Sequence, residues 1–331
     1  MPFEIYPWSD ISDQFSDNLL LGNGASIAVD ERFKYSSLKE HAIDNGLVTE
    51  DVQSLFDFFR TDDFELVLRI VWQSTNVNAA LHIEDNKTEQ AYRHVRDCLI
   101  DSVRDIHPEY GEVEDHLPSI ATFMKGFKTI ASLNYDLIAY WAMMYGNELK
   151  NGHRFKDCFS GKSFDDDWKR FREPYGDDTD SSLVFYPHGN LVLARDKLEN
   201  ERKIASAGTG LLESILGKWA RGSYVPLFVS EGTKGQKKKS IQTSFYLNTV
   251  YREVLPSFSN SVVFYGWGAG EQDRHILDQI ARSKPRKVAF SVRNSDQGYC
   301  NRVNELVKQV CGKGCEAFFY DSASAGCWNN A

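Results

Sequence analysis

Short apolar runs that stop at glycine, asparagine or histidine recur along this 331-residue chain and alternate with stretches of helical spacing. Seven of them read as strands: Asn18–Gly22, Lys128–Leu133, Ser182–Tyr186, Tyr224–Val229, Ser261–Tyr265, Lys287–Val292 and Glu316–Tyr320. An apolar run without alternation suits a strand buried on both faces, and strands alternating with helices build a parallel sheet covered on both sides. The expected fold is therefore α/β, a mostly parallel sheet with helices on both faces. In such sheets ligands bind outside the carboxyl ends of the strands, so the residues that end each run are the first candidates for a site.

Between Thr49 and Val113 the pattern changes. Val52, Leu55, Phe56 and Phe59, then Phe64, Val67, Ile70 and Val71, then Val95, Leu99 and Val103 follow helical spacing. This predicts a helical insertion over 45–125 within a sheet-bearing unit made of 1–44 and 126–331. Residues 151–180 carry Asp165-Asp166-Asp167 and Gly176-Asp177-Asp178-Thr179-Asp180 with little periodicity, which predicts an exposed loop. Lys237-Lys238-Lys239 reads as a solvated loop.

Composition narrows the partners. With 38 Lys and Arg against 47 Asp and Glu, the net charge of −9 leaves no general basic face for a phosphate backbone, so nucleic acid is not an expected partner. The start of the chain lacks a basic and apolar leader, and no run of about 18 apolar residues occurs, so a cytoplasmic location without membrane contact is expected. Six cysteines are scattered, the nearest pair being Cys311 and Cys315 in a C-G-K-G-C spacing that is not a zinc signature. They read as reduced thiols.

Four strand ends carry residues suited to chemistry. Gly22-Asn23-Gly24-Ala25-Ser26 lets backbone approach a pyrophosphate, with a helix N-terminus to favour the charge; read alone it is also a plain tight turn. Gly266-Trp267-Gly268-Ala269-Gly270 is a second turn of this kind, followed by Asp273, either a charge partner for the next helix or a ligand contact. Asn134 and Asp136 offer an amide and a carboxylate, or a cap for the helix that begins near Leu137. His188, between Pro187 and Gly189, is read as an exposed loop histidine with the pKa range of a general base.

Taken in order, Gly22-Asn23-Gly24-Ala25-Ser26, Asn134-Tyr135-Asp136, His188-Gly189 and the Gly266–Gly270 turn followed by Asp273 resemble the sirtuin-like domain, in particular the divergent branch found in bacterial antiphage effectors. The resemblance spans about residues 18 to 321. It implies a Rossmann-like NAD+-binding fold with a helical insertion that cuts the bond between nicotinamide and ribose. Asn134 would place water or ribose beside the anomeric carbon, Asp136 would meet the nicotinamide carboxamide, and His188 would act as the base. Gly22, Asn23, Gly24, Ala25 and Ser26 would cradle the pyrophosphate, with Gly266, Gly268, Asp273 and Ser291 along the adenosine half.

The departures matter as much. The four-cysteine zinc module of the deacylating branch is missing, and Ser132-Leu133 before Asn134 lacks the glutamine usual in that branch, so deacylation is disfavoured; Asn23, where the family carries alanine, puts a larger side chain at the loop. The expectation is an NAD+ glycohydrolase, an abortive-infection effector that needs NAD+ as substrate and no metal. Its expected associations are a homo-oligomer and an activating protein or phage component. A non-catalytic module that senses NAD or ADP-ribose is the alternative.

Overall fold

Leu19, Leu20 and Leu21 are fully buried in consecutive positions, as a strand covered on both faces has them. The computed structural model describes residues 2–34, 37–205, 210–229 and 232–331, and it sets this strand at the middle of a seven-stranded sheet. In chain order the strands are β1 (Asn18–Leu21), β2 (Thr129–Ser132), β3 (His153–Lys156), β4 (Phe159–Ser160), β5 (Ser163–Phe164) and β6 (Asp180–Phe185). They continue with β7 (Gly189–Arg195), β8 (Glu201–Lys203), β9 (Val225–Phe228), β10 (Ser261–Tyr265), β11 (Lys287–Val292) and β12 (Glu316–Asp321).

The central sheet runs β12-β11-β10-β1-β2-β6-β3 and every pairing in it is parallel, which bears out the α/β, Rossmann-like expectation. After β1 the chain adds β2, then β3 at the edge and β6 in the gap between them, and returns to β1's other side with β10, β11 and β12. The order reverses between β1 and β10, where open α/β sheets leave a crevice for ligands. In register Leu21 faces Ser132 on one side and Tyr265 on the other, so the turns after β1, β2 and β10 leave the sheet at one level.

Two elements differ from the sequence reading. Tyr224–Val229 forms β9 but joins a separate antiparallel sheet, β8-β7-β9, in place of the parallel one; Ser230 and Glu231, which follow it, lie outside the described residues. The segment 151–180 is not an exposed loop. It supplies β3, the edge of the main sheet, a β4–β5 hairpin, and a short 3-10 turn whose Trp168 is buried edge-on to Phe185, ring centroids 5.7 Å apart.

The stretch from Leu38 to Lys125 is helical, and its centre is Asn86–Ile106, which buries Val95, Leu99, Val103 and Ile106 along one face. Phe64–Ala80 packs on it and is tied to the small sheet by an ion pair, Glu65 to the Arg195 guanidinium at 3.3 Å, both almost fully buried. Glu65→Ala leaves that guanidinium without its most buried carboxylate, and a loss of about 3 kcal/mol in urea unfolding is expected. A variant as stable as wild type would remove the pair from the account.

The chain ends reinforce the sheet. Tyr6 pairs with Tyr320 beyond β12, and the buried Trp328 donates its Nε1–H to the Ala25 carbonyl at 2.8 Å. All six cysteines are free. Among the described residues, no helix is long and apolar enough to cross a membrane.

Candidate functional site at the reversal of the sheet

The two glycine turns meet each other at the reversal. Gly22 N–H donates to the Tyr265 carbonyl at 2.9 Å and Gly24 N–H to the Gly266 carbonyl at 2.8 Å. A Cβ on Gly22 would lie 2.7 Å from that same Gly266 oxygen, and one on Gly24 2.7 Å from the Gly266 Cα. Gly266 itself has φ +65, and its Cβ would fall 2.2 Å from the Ala25 nitrogen. The three glycines are therefore required by the close passage of two backbones, a stricter demand than either turn makes alone. Ala25 is buried in the Asn23–Val29 helix that follows, and Asn23 donates its side-chain amide to the Phe33 carbonyl at 3.2 Å.

Beside this crossing, the end of β2 brings the predicted amide and carboxylate into one network. Asn134 donates both hydrogens of its Nδ2, to the Gly22 carbonyl at 3.0 Å and to Ser26 Oγ at 2.7 Å. Ser26 in turn donates to Asp136 Oδ2, and Asp136 Oδ1 accepts the Ile138 N–H at 2.9 Å. That last bond is of the Asx type weighed from sequence, made from one residue ahead of the helix's cap position, Leu137. Burial pushes its carboxyl above the usual carboxylate range against the pull of these donors. Asn134 Oδ1 has no protein donor among the described residues and is left to accept from a water or hydroxyl.

Two residues that sequence reasoning passed over hold this loop. Asn190, fully buried in β7, donates to the Asp136 carbonyl at 2.5 Å. His107 accepts the Leu137 N–H at Nε2, 2.9 Å, and donates from Nδ1 to the Pro108 carbonyl at 2.8 Å, with Phe33 and Trp141 edge-on to its ring. Burial pushes the His107 pKa down to about 4, whereas an unfolded histidine titrates near 6.5. The depressed value means that this stabilisation is complete above 6.5 and lost as pH falls towards 4, a change of order 3 kcal/mol. His107→Gln is expected to flatten the acid side of the stability curve in urea unfolding; a wild-type-minus-variant difference that does not change over that window would contradict it.

His188 departs from its sequence reading. It is 3% exposed, because the chain turns inward at Gly189 (φ +77) to run as β7 against β9, where a Cβ on that glycine would lie 2.2 Å from the Leu227 oxygen. β6 ends at Phe185, and three residues after His188 the chain meets the end of β2, where the Leu191 N–H donates to the Tyr135 carbonyl at 2.8 Å. Its Nε2 lies 3.1 Å from Nε2 of the buried His275, the rings stacked at 5.2 Å. Burial first, then the Lys237 charge, holds His188 neutral well below 6.5, and His275 is pushed down to about 4 for the same reasons, although Asp273 pulls the other way in both.

Asp273 and Lys237 complete the cluster. Lys237 lies in the helix Lys234–Gln242, not in a solvated loop; it is 6% exposed and donates to Asp273 Oδ1 at 2.9 Å. Asp273 has no side-chain capping bond to the following helix. Burial works against its ionisation, yet the Lys237 ammonium bonded to it holds it below the usual carboxylate range. His188, His275 and Asp273 each offer a ligand atom within 4.8 Å of the others, a set that could hold a metal ion, but the ammonium of Lys237 already neutralises the only carboxylate. A divalent cation would have to displace it.

Of the remaining expected contacts, Gly268 has open space where a Cβ would stand, whereas Ser291 spends its hydroxyl accepting the Gly266 N–H at 2.8 Å. The structure thus brings together Gly22, Gly24, Ser26, Asn134, Asp136 and Gly266 on one side, and His188 with Asp273 on the other. A cavity of about 620 Å³ lies elsewhere, bounded by Tyr140, Met143, Lys156, Cys158 and Phe171. No comparable convergence of backbone amides, glycines and neutral imidazoles lines it, so the strand ends are the stronger site.

Residues 19–328 match one family model, described as a domain of unknown function, DUF4917. The chain belongs to the DUF4917 family. The match takes in β1 through β12, and hence every strand end of the site, so the site sits within the DUF4917 unit. No curated protein matches the sequence.

Proposed function

We propose that this DUF4917 protein is an NAD+ glycohydrolase, releasing nicotinamide and ADP-ribose from a site at the reversal of its sheet. The observation that carries this is the adjacency of four strand ends in the order β10, β1, β2, β6, bearing Gly266, Gly22–Ser26, Asn134 with Asp136, and His188. Four strands at about 4.8 Å spacing span roughly 14 Å, a length comparable to that of an extended dinucleotide. The start of the Asn23–Val29 helix would face the pyrophosphate, while the Gly22, Gly24 and Ala25 N–H groups already donate to the Tyr265, Gly266 and Gly22 carbonyls.

The chemistry follows from the cation. Nicotinamide leaves as a neutral pyridine with the electron pair of the broken C–N bond, and positive charge gathers on the ribose. A buried carboxylate such as Asp136 stabilises that charge more strongly than it could in water. Asn134 Oδ1 orients a water at the anomeric carbon, and His188 takes its proton as the new C–O bond forms. Water and NAD+ give ADP-ribose, nicotinamide and one proton. Burial of His188 and Asp136 suits an enzyme whose cleavage of NAD+ is slow but measurable on its own and rises when a trigger opens the site, as an antiphage effector acting through NAD+ depletion requires; that setting, a homo-oligomer and an activating partner belong to the same proposal.

The second reading, a module that holds NAD or ADP-ribose without turnover, draws on the internal hydrogen bonds that occupy both Asn134 amide hydrogens. Incubation of the purified protein with NAD+, followed by chromatography, separates the two: nicotinamide and ADP-ribose in equal amounts support the glycohydrolase, and intact nucleotide bound one to one supports the sensor.

A further inference from the structure

We propose that His275 is a positioning residue for His188: it fixes His188 as the Nε2–H tautomer and so leaves the Nδ1 lone pair free to take the substrate's proton. The inference rests on His188 being the base of the reaction proposed above. It starts from a carbonyl, which can only accept. His275 Nδ1 lies 3.0 Å from the Gln272 carbonyl, so Nδ1 carries the hydrogen and, in a neutral ring, Nε2 carries the lone pair. That lone pair lies 3.1 Å from His188 Nε2, which must therefore donate. A neutral His188 that donates from Nε2 is basic at Nδ1, and Nδ1 has no hydrogen-bond partner among the described residues.

The chain Gln272 carbonyl, His275, His188 thus orders the proton in one direction. When an O–H bond of water breaks and its proton passes to His188 Nδ1, the electron pair goes to the forming C–O bond and His188 becomes an imidazolium. Its Nε2–H bond to His275 strengthens with the charge, and the Asp273 carboxylate, held by Lys237, offsets it. Tyr251 packs at 5.9 Å on His275 and keeps the ring in place. Lys234, the other cation near His275, is paired with Asp278 at 2.6 Å. This is the logic by which an orienting group sets the tautomer of a catalytic histidine, here with an imidazole in place of a carboxylate.

The test has an arm independent of turnover. In protein carrying ¹⁵N-labelled histidine, the couplings of the His188 ring nitrogens at neutral pH are expected to give Nε2–H and a bare Nδ1, and His275→Phe, which keeps a ring but offers no acceptor, is expected to lose that preference. His275→Gln keeps an acceptor and is expected to retain it. In the cleavage assay His275→Phe is expected to lower kcat by about 10- to 100-fold with KM little changed, and His275→Gln to recover most of the loss. A wild-type His188 protonated at Nδ1, or a His275→Phe enzyme with wild-type kcat, overturns the assignment. A protein with the expected tautomers and no cleavage of NAD+ would keep the positioning and discard the reaction.

Discussion

Gly266→Ala is expected to cost about 3 kcal/mol or more of folding stability, since two penalties act together. At φ +65 alanine pays for the left-handed backbone, and its Cβ would overlap the Ala25 nitrogen at 2.2 Å and the Gly24 carbonyl carbon at 2.5 Å. Those atoms are backbone, held by the Gly24 to Gly266 hydrogen bond, and cannot step aside as a side chain could. Urea unfolding measures the loss. Gly268→Ala, two residues on with open space at the Cβ, serves as the control and is expected to stay within about 0.5 kcal/mol of wild type. Equal stability of the two variants would mean that the glycine turns do not meet as described.

His188→Ala is expected to lower the rate of NAD+ cleavage by about 10² to 10⁴, the usual contribution of a positioned general base, while far-ultraviolet circular dichroism stays that of the folded protein. Burial among Lys237 and His275 keeps this histidine neutral well below 6.5, so the basic form is already present there. The wild-type rate is therefore expected to remain level as pH falls through 6.5, where an exposed histidine base would lose activity. Wild-type cleavage by the alanine variant, or a rate that halves near 6.5, would remove His188 from the mechanism.

The parallel sheet was legible because its strands are apolar on both faces: Leu19–Leu21, Val262–Phe264 and Val288–Phe290 need no partner to be recognised. Sheet membership was not legible from apolarity. Tyr224–Val229 reads like the others, but Pro226 cannot donate to a ladder, and β9 is accordingly an edge of the small sheet; that proline was the available signal. β3 hid for the opposite reason. His153 and Phe155 are buried while Arg154 and Lys156 stay half-exposed, a four-residue alternation at a sheet edge set in an acidic stretch.

The site divides in the same way. Gly22, Ser26, Asn134, Asp136 and Gly266 end apolar strands, and the sheet converges them by topology alone. His275 and Lys237 sit inside helices, where only the docking of the helix decides which face turns inward. In Lys237-Lys238-Lys239 one lysine of three faces the core, and its partner Asp273 lies 36 residues on. No local pattern encodes that pairing. The glycine turns carried a further surprise, since close packing of two backbones accounts for them before any phosphate is considered.

The most direct test is a single-turnover experiment: protein and NAD+ at equimolar concentration in ¹⁸O-enriched water, followed by mass spectrometry of the products. The account predicts unlabelled nicotinamide and ADP-ribose carrying one ¹⁸O at the anomeric position, with both products formed about 10² to 10⁴ times more slowly by His188→Ala. Full recovery of intact NAD+ from the wild-type protein would contradict it.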